Sequence, residues 1–227
     1  MNDLLHRYEK TKLRIKTAAE QIDKGKGVEL LAVSKKHDVG HITSLATAGQ
    51  RSFGESYVQE GVAKIGQLSD LSLDWHFIGP IQSNKVKLIA KNFDWVHSVD
   101  RLKVLKLLNQ YREASLKPLN VLLQLKVGDE ASKSGASCDE LIRLADELQL
   151  CNQLVFRGVM CIPPPSDDFK VQCDYCSQAK YVFDELAAKY VGVDTLSMGM
   201  SNDLEAAIQS GSTMVRIGTD IFGQRTG

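Results

Sequence analysis

The chain has 227 residues, 43% apolar and 25% charged, and its 28 basic and 28 acidic side chains cancel to a formal net charge of zero. These values describe a folded globular chain and exclude a disordered or collagen-like one. They also speak against a general nucleic-acid binder, and no apolar run approaches the roughly 18 residues of a membrane span.

In chain order, the first segment reads as an amphipathic helix with Leu4, Tyr8, Ile15, Ala18 and Ile22 on one side. Its start, Met1-Asn2-Asp3-Leu4-Leu5-His6-Arg7-Tyr8, lacks the apolar centre of a signal peptide, so a cytoplasmic location is expected. Eight short apolar runs then alternate with helical-period segments. The runs span 28–34, 52–54, 75–79, 95–99, 119–127, 155–162, 195–198 and 213–218, rich in Val, Ile, Leu and aromatics. Helical stripes lie between them: Leu102, Leu105 and Leu108; Leu141, Leu144, Ala145 and Leu148; Ala179, Val182, Phe183, Leu186 and Tyr190. Pro163-Pro164-Pro165 reads as a loop closing the sixth strand. The alternation predicts parallel βαβ units. The count and length fit an α/β protein built as one closed (β/α)8 TIM barrel domain over 1–227, with an extra N-terminal helix. A doubly wound open sheet is the alternative, but no GxGxxG or GxxxxGK[ST] follows the first strand.

Five cysteines (Cys138, Cys151, Cys161, Cys173, Cys176) have no framework spacing and are expected to stay reduced. Cys173 and Cys176 form a CxxC without a second pair, read as two small residues on a helix face, and no metal is expected. His37, His41 and His97 share no ligand spacing and are expected at surface or loop positions. Trp75 and Trp95 are expected to pack against helices. The basic pairs Lys35-Lys36 and Lys85-Val86-Lys87 are not read as an RNA site, given the zero net charge.

Barrel sites lie at the carboxyl ends of the strands. The first strand runs into Ser34-Lys35-Lys36, and alternation puts Lys35 on the face of Leu31 and Val33, aimed at the mouth, with Lys36 directed away. A lysine held against apolar strands loses part of its preference for the charged form, and its neutral amine can capture an aldehyde. The same lysine also fits a plain strand end snorkelling to solvent. Near the other end of the chain, Ser201 sits where a helix N-cap belongs, and Gly218-Thr219 follows the last strand. Loops after strands seven and eight are where barrels commonly hold phosphate. Asp203 and Glu205 weigh against that, because acids in a first helical turn compete with a bound anion.

Five segments together are more specific. Leu31-Ala32-Val33-Ser34-Lys35, Phe53-Gly54-Glu55-Ser56, Trp75-His76-Phe77-Ile78-Gly79-Pro80-Ile81-Gln82-Ser83-Asn84-Lys85, Leu196-Ser197-Met198-Gly199-Met200-Ser201 and Val215-Arg216-Ile217-Gly218-Thr219 resemble the YggS/PROSC family of pyridoxal 5′-phosphate (PLP) homeostasis proteins. The resemblance spans about residues 28 to 225. It implies the barrel of fold-type III PLP proteins, as in alanine racemase without its β-domain. It implies that Lys35 carries PLP as a Schiff base, that Ser201, Gly218 and Thr219 hold the phosphate with Met200 contributing backbone, and that Arg216 faces the pyridine nitrogen. His76 and Asn84 are implied to line the mouth near the ring. Lys133 matches a further family position on a loop, without a cofactor role. Two departures stand out: Ser56 replaces the family's usual Asn, and the tail reads Gly223-Gln224-Arg225-Thr226-Gly227.

Three functions follow for comparison. The first is a PLP carrier and buffer without turnover, with PLP-dependent apo-enzymes as recipients and a monomeric state. The second is an amino-acid racemase, which needs a base opposite Lys35; Tyr57 is the nearest candidate, and the expected lack of room for a β-domain speaks against it. The third is a cofactor-free barrel using Lys35 in the manner of an aldolase.

Overall fold

The run Glu29–Val33 is buried at every position after its first, as a strand covered on both faces must be. The computed structural model describes residues 2–22, 27–128 and 134–224. In it, β1 (Glu29–Val33), β2 (Ser52–Glu55), β3 (Asp74–Phe77), β4 (Trp95–Val99), β5 (Leu119–Leu125), β6 (Leu154–Cys161), β7 (Thr195–Ser197) and β8 (Met214–Ile217) pair in parallel, each with the next. β8 pairs back onto β1, with Leu31 level with Arg216, and closes the barrel. The chain is therefore a (β/α)8 barrel and not an open doubly wound sheet.

The helices are α1 (Asn2–Glu20), α2 (Val39–Thr47), α3 (Val58–Gln67), α4 (Val86–Asn92), α5 (Leu102–Tyr111), α6 (Cys138–Leu148), α7 (Phe169–Lys189), α8 (Leu204–Gln209) and α9 (Thr219–Phe222). α6 starts at a capping box, in which the Ser137 hydroxyl accepts from the Glu140 amide and the Glu140 carboxylate accepts from the Ser137 amide. It buries Leu141, Leu144, Ala145 and Leu148 against the sheet, and each buried leucine contributes about 1.5–3 kcal/mol. α7 buries Ala179, Phe183 and Leu186. On α5 the stripe is Val104, Leu105 and Leu108, while Leu102 stays exposed because it opens the helix, a turn away from the buried face. α1 buries Leu4, Tyr8, Ile15 and Ala18 and lies against α2, α8 and α9.

Outward side chains of the strands, such as Ala32, Phe53, Trp75 and Phe77, join the apolar layer under the helices. The inward set is mixed. Leu31, Leu122, Met160 and Met214 are buried beside the polar side chains of His76, His97, Ser197 and Arg216. Two expectations are corrected here. His97 is fully buried on β4 rather than on a surface or loop. Trp95 does not pack against helices: it is level with His76 on β3, stacks on that ring at 5.1 Å, and has the Arg157 guanidinium 4.5 Å above its own ring. Both residues alternate onto the inner face of β4, where local sequence gives no sign of partners from distant strands.

Candidate functional site

A cavity of about 460 Å³ opens at the carboxyl ends of the strands. Its wall includes Lys35 after β1, Ser56 after β2, Ile78 after β3, the Pro163-Pro164-Pro165 loop after β6, Met200 and Ser201 after β7, and Arg216, Gly218 and Thr219 on and after β8.

Lys35 reaches this wall by a route that differs in part from strand alternation. β1 stops at Val33, so Lys35 lies in a turn. Lys36 takes a left-handed conformation, φ 64°, which swings it out of the mouth. Its side chain rests 5.9 Å from the Tyr57 ring centre. The turn is held from beneath. The Ser34 hydroxyl donates to Glu55 at 2.7 Å, and the Lys64 ammonium donates to Glu55 at 2.8 Å, Glu60 at 2.7 Å and the Ser34 carbonyl at 2.8 Å. Glu60 in turn accepts the Lys36 amide at 2.5 Å. Burial pushes the Glu55 carboxyl pKa up, and Lys64 and Ser34 oppose that shift.

Arg216 forms the floor. It is 4% exposed, and it donates to the Ser197 carbonyl at 2.7 Å, the Ser197 hydroxyl at 2.9 Å and the Cys161 carbonyl at 2.9 Å. Burial lowers its pKa from the usual guanidinium value, yet it stays a donor with no acceptor capacity. The Ser197 hydroxyl also lies within hydrogen-bond distance of His97 Nδ1, at 3.2 Å. His97 Nε2 pairs in turn with His76 Nδ1 at 2.9 Å, one ring nitrogen donating and the other accepting. The bond from β4 to β7 joins strands that are not neighbours, so it crosses the barrel interior. His76 Nε2 is buried with no partner among the described residues. Burial lowers the His76 pKa to about 3 and also holds His97 well below the ordinary histidine value. Both rings are neutral.

The β8 turn brings bare backbone to the cavity. A side chain at Gly218 would put its Cβ 3.3 Å from the Val33 carbonyl oxygen. At Gly79 the equivalent atom would be 2.2 Å from the Ser56 carbonyl, so only glycine lets the β2 and β3 loops approach. Ser201 is not the helix N-cap: α8 begins at Leu204 with Asp203 in the cap position. Asp203 instead accepts the Met200 amide at 2.7 Å, closing the loop on itself.

Six of the residues singled out in the sequence, Lys35, Met200, Ser201, Arg216, Gly218 and Thr219, share this wall. His76 does not line it; the ring lies below, two hydrogen bonds past Ser197. Asn84 is exposed on a 3-10 turn (Ser83–Lys85) and is not on the wall either. Lys133 and the tail from Arg225 fall outside the described residues. The proline loop was legible as a loop but not as a wall, although a proline run after a strand's carboxyl end belongs to the same rim as the other site loops. Spacing does not mark the Glu55–Lys64–Glu60 group or the histidine pair; a polar residue alternating into an apolar strand is a signal for Glu55, His76 and His97, but not for Glu60 and Lys64 on α3. Cys173 and Cys176 lie on α7, and burial pushes the Cys176 thiol pKa up. No cluster of metal-ligating side chains occurs among the described residues, nor any helix long and apolar enough to cross a membrane.

This donor set fits PLP. The wall brings together a lysine amine, a buried guanidinium, hydroxyls and glycine backbone, donors compatible with an aldehyde that carries a phosphate, alongside the carboxylates of Asp167 and Asp203.

Residues 9–226 match the family model "Alanine racemase, N-terminal domain". The chain is 47% identical over 229 residues to the pyridoxal phosphate homeostasis protein of Escherichia coli (strain K12), covering 99% of this chain and 98% of that one. It is 46% identical over 226 residues to the pyridoxal phosphate homeostasis protein of Pseudomonas aeruginosa, covering 99% and 97%. Among solved structures it resembles PipY of Synechococcus elongatus with PLP bound, at a TM-score of 0.84 and 32% identity, covering 97% of this chain and all of that one. A barrel with this mouth and these full-length similarities places the chain in the family of pyridoxal phosphate homeostasis proteins, within the alanine racemase N-terminal-domain fold.

Proposed function

We propose that this protein binds PLP at the barrel mouth through Lys35 and serves in cellular PLP homeostasis as a carrier or buffer, releasing it to PLP-dependent apo-enzymes. The observation that carries the reading is the convergence of Lys35, Arg216, Ser201, Gly218 and Thr219 on one cavity. The names of its relatives and the PLP in the PipY structure add support.

When bound, PLP supplies an aldehyde that an amine captures and a pyridine ring that can draw off charge. Lys35 offers the amine, held on its turn by the Glu55–Lys64–Glu60 group. Ser201, Thr219 and the Gly218 backbone take the phosphate, with Met200 in the same loop. Arg216 donates a hydrogen bond to the ring nitrogen but lends it no proton, so the electron sink stays weak. His76 acts at a distance, through His97 and Ser197, in keeping Arg216 oriented. Asn84 is given no contact. Tyr57, the base a racemase would require opposite Lys35, is 48% exposed and lies off the cavity wall, against Lys36. That favours binding without turnover; a monomeric state and a cytoplasmic location are part of the same proposal.

The test is reduction of the PLP-loaded protein with borohydride, followed by peptide mapping. The label is expected on Lys35, and Lys35→Ala should abolish both that label and the absorbance of the bound cofactor. Labelling at Lys36 instead would overturn the assignment. Incubation of the loaded protein with alanine in deuterated water is expected to give little α-deuteration; fast exchange with inversion would favour the racemase.

A further inference from the structure

Arg14 stands on α1, outside the cavity wall, yet it reaches both loops that the proposed function gives to phosphate. Its Nε and Nη2 each donate to the Glu205 carboxylate at 2.9 Å, its Nη1 donates to Asp220 at 2.5 Å, and Nη2 also donates to the Ser201 carbonyl at 3.3 Å. Glu205 lies in the first turn of α8, four residues after Ser201, and Asp220 in the first turn of α9, next to Thr219. Unpaired, two carboxylates there would repel an incoming dianion. Two further acids, Asp167 and Asp203, line the cavity itself, and Asp203 accepts the Met200 amide at 2.7 Å.

We infer that Arg14 is a positioning residue for phosphate capture: it offsets one of the two negative charges of Glu205 and Asp220 and ties the two phosphate loops to the N-terminal helix. The inference rests on the reading that Ser201, Gly218 and Thr219 take the phosphate. The side chains of Arg14, Glu205 and Asp220 are 32%, 43% and 30% exposed. Pairs this open contribute little to folding stability, whereas their field still reaches the cavity beside them. Docking of α1 has a second anchor. Arg7, two turns earlier on the same helix, donates to the Ile221 carbonyl at 2.9 Å, and Leu4, Tyr8 and Ile15 are buried. The helix therefore stays in place when Arg14 is changed.

The experiment compares binding of PLP with binding of pyridoxal, which has the same aldehyde and no phosphate. Arg14→Gln is expected to weaken PLP about three- to tenfold while leaving pyridoxal unchanged. The loss should shrink as ionic strength rises. The triple variant Arg14→Gln/Glu205→Gln/Asp220→Asn, which carries one negative charge fewer than wild type at this group, is expected to match or exceed the wild-type preference for PLP. Equal weakening of both ligands, or no recovery in the triple variant, would overturn the charge-offsetting role. Glu205→Gln and Asp220→Asn with Arg14 intact test it from the other side, should Arg14→Gln fail to fold. Each should tighten PLP relative to pyridoxal, and an unchanged ratio in both counts against Arg14. A wild-type protein that binds the two ligands equally would instead defeat the phosphate assignment itself.

Discussion

Lys64 shows how a single buried side chain can serve a site it never touches. At 6% exposure its ammonium is separated from water, and two carboxylates and the Ser34 carbonyl replace the lost hydration. Glu55 has the same need from the other side, since its side chain is fully buried and one of its oxygens has no partner among the described residues. Lys64→Met should cost about 3–5 kcal/mol in urea unfolding, because it leaves Glu55 charged and unpaired. Adding Glu55→Gln should recover part of that loss. Both variants also release the turn that carries Lys35, so PLP affinity should fall further than for a surface lysine change. A Lys64→Met protein with wild-type stability would show that the group is not the support described.

At the scale of elements, closure of the barrel depends on irregular places rather than on the regular ladders. The register between β5 and β6 shifts between Val121 and Leu122, opposite Gly158. Gly158 has φ 144°, and a Cβ there would lie 2.0 Å from the Thr195 carbonyl oxygen of β7. One glycine thus serves the bulge and the close approach of the next strand. Gly158→Ala should destabilise the fold by about 2–4 kcal/mol, combining a backbone conformation that alanine avoids with a steric clash. Chemical denaturation measures it. Because β6 runs directly into the proline wall of the cavity, weaker PLP binding should accompany the loss, and an unaffected midpoint would contradict the geometry.

For the molecule as a whole, the polar chain through the barrel links stability to pH. His76 and His97 have folded-state pKa values lowered by burial, His76 to about 3, against an unfolded value near 6.5. Above that value both states bind equally few protons at these positions, and the histidines cost nothing. As pH falls through it, the unfolded chain takes up protons that the folded one refuses, so stability declines toward acid. Each histidine contributes a slope of up to about 1.4 kcal/mol per pH unit below the unfolded value. Glu55 and Asp94, whose carboxyl pKa values are raised by burial, act in the opposite sense. The histidine part is therefore isolated by difference. His76→Gln should flatten the stability profile between about pH 6.5 and 5.5 relative to wild type. An identical profile would mean that the pair does not stay neutral in the folded protein.

The sequence by itself determined the eight strands, their order and the barrel, because strand and helix periodicities are local and the alternation leaves few topologies. It also determined the family, since five separated motifs occur in order. It singled out six of the residues that share the cavity wall, although Ser201 does so in a loop and not as a helix cap. What only the tertiary structure decided was the company each polar side chain keeps. Ser197 and His97 meet across 100 positions of chain, and Arg14 meets Asp220 across 206. Neither pairing leaves a periodic trace, because contact through a barrel interior or between terminal helices depends on closure and not on spacing. For the same reason His97 and Trp95 read as a surface and a helix-packing residue, and His76 as part of the mouth. Their burial follows from strands β3, β4, β7 and β8 facing one axis, a relation that exists only once the sheet has closed.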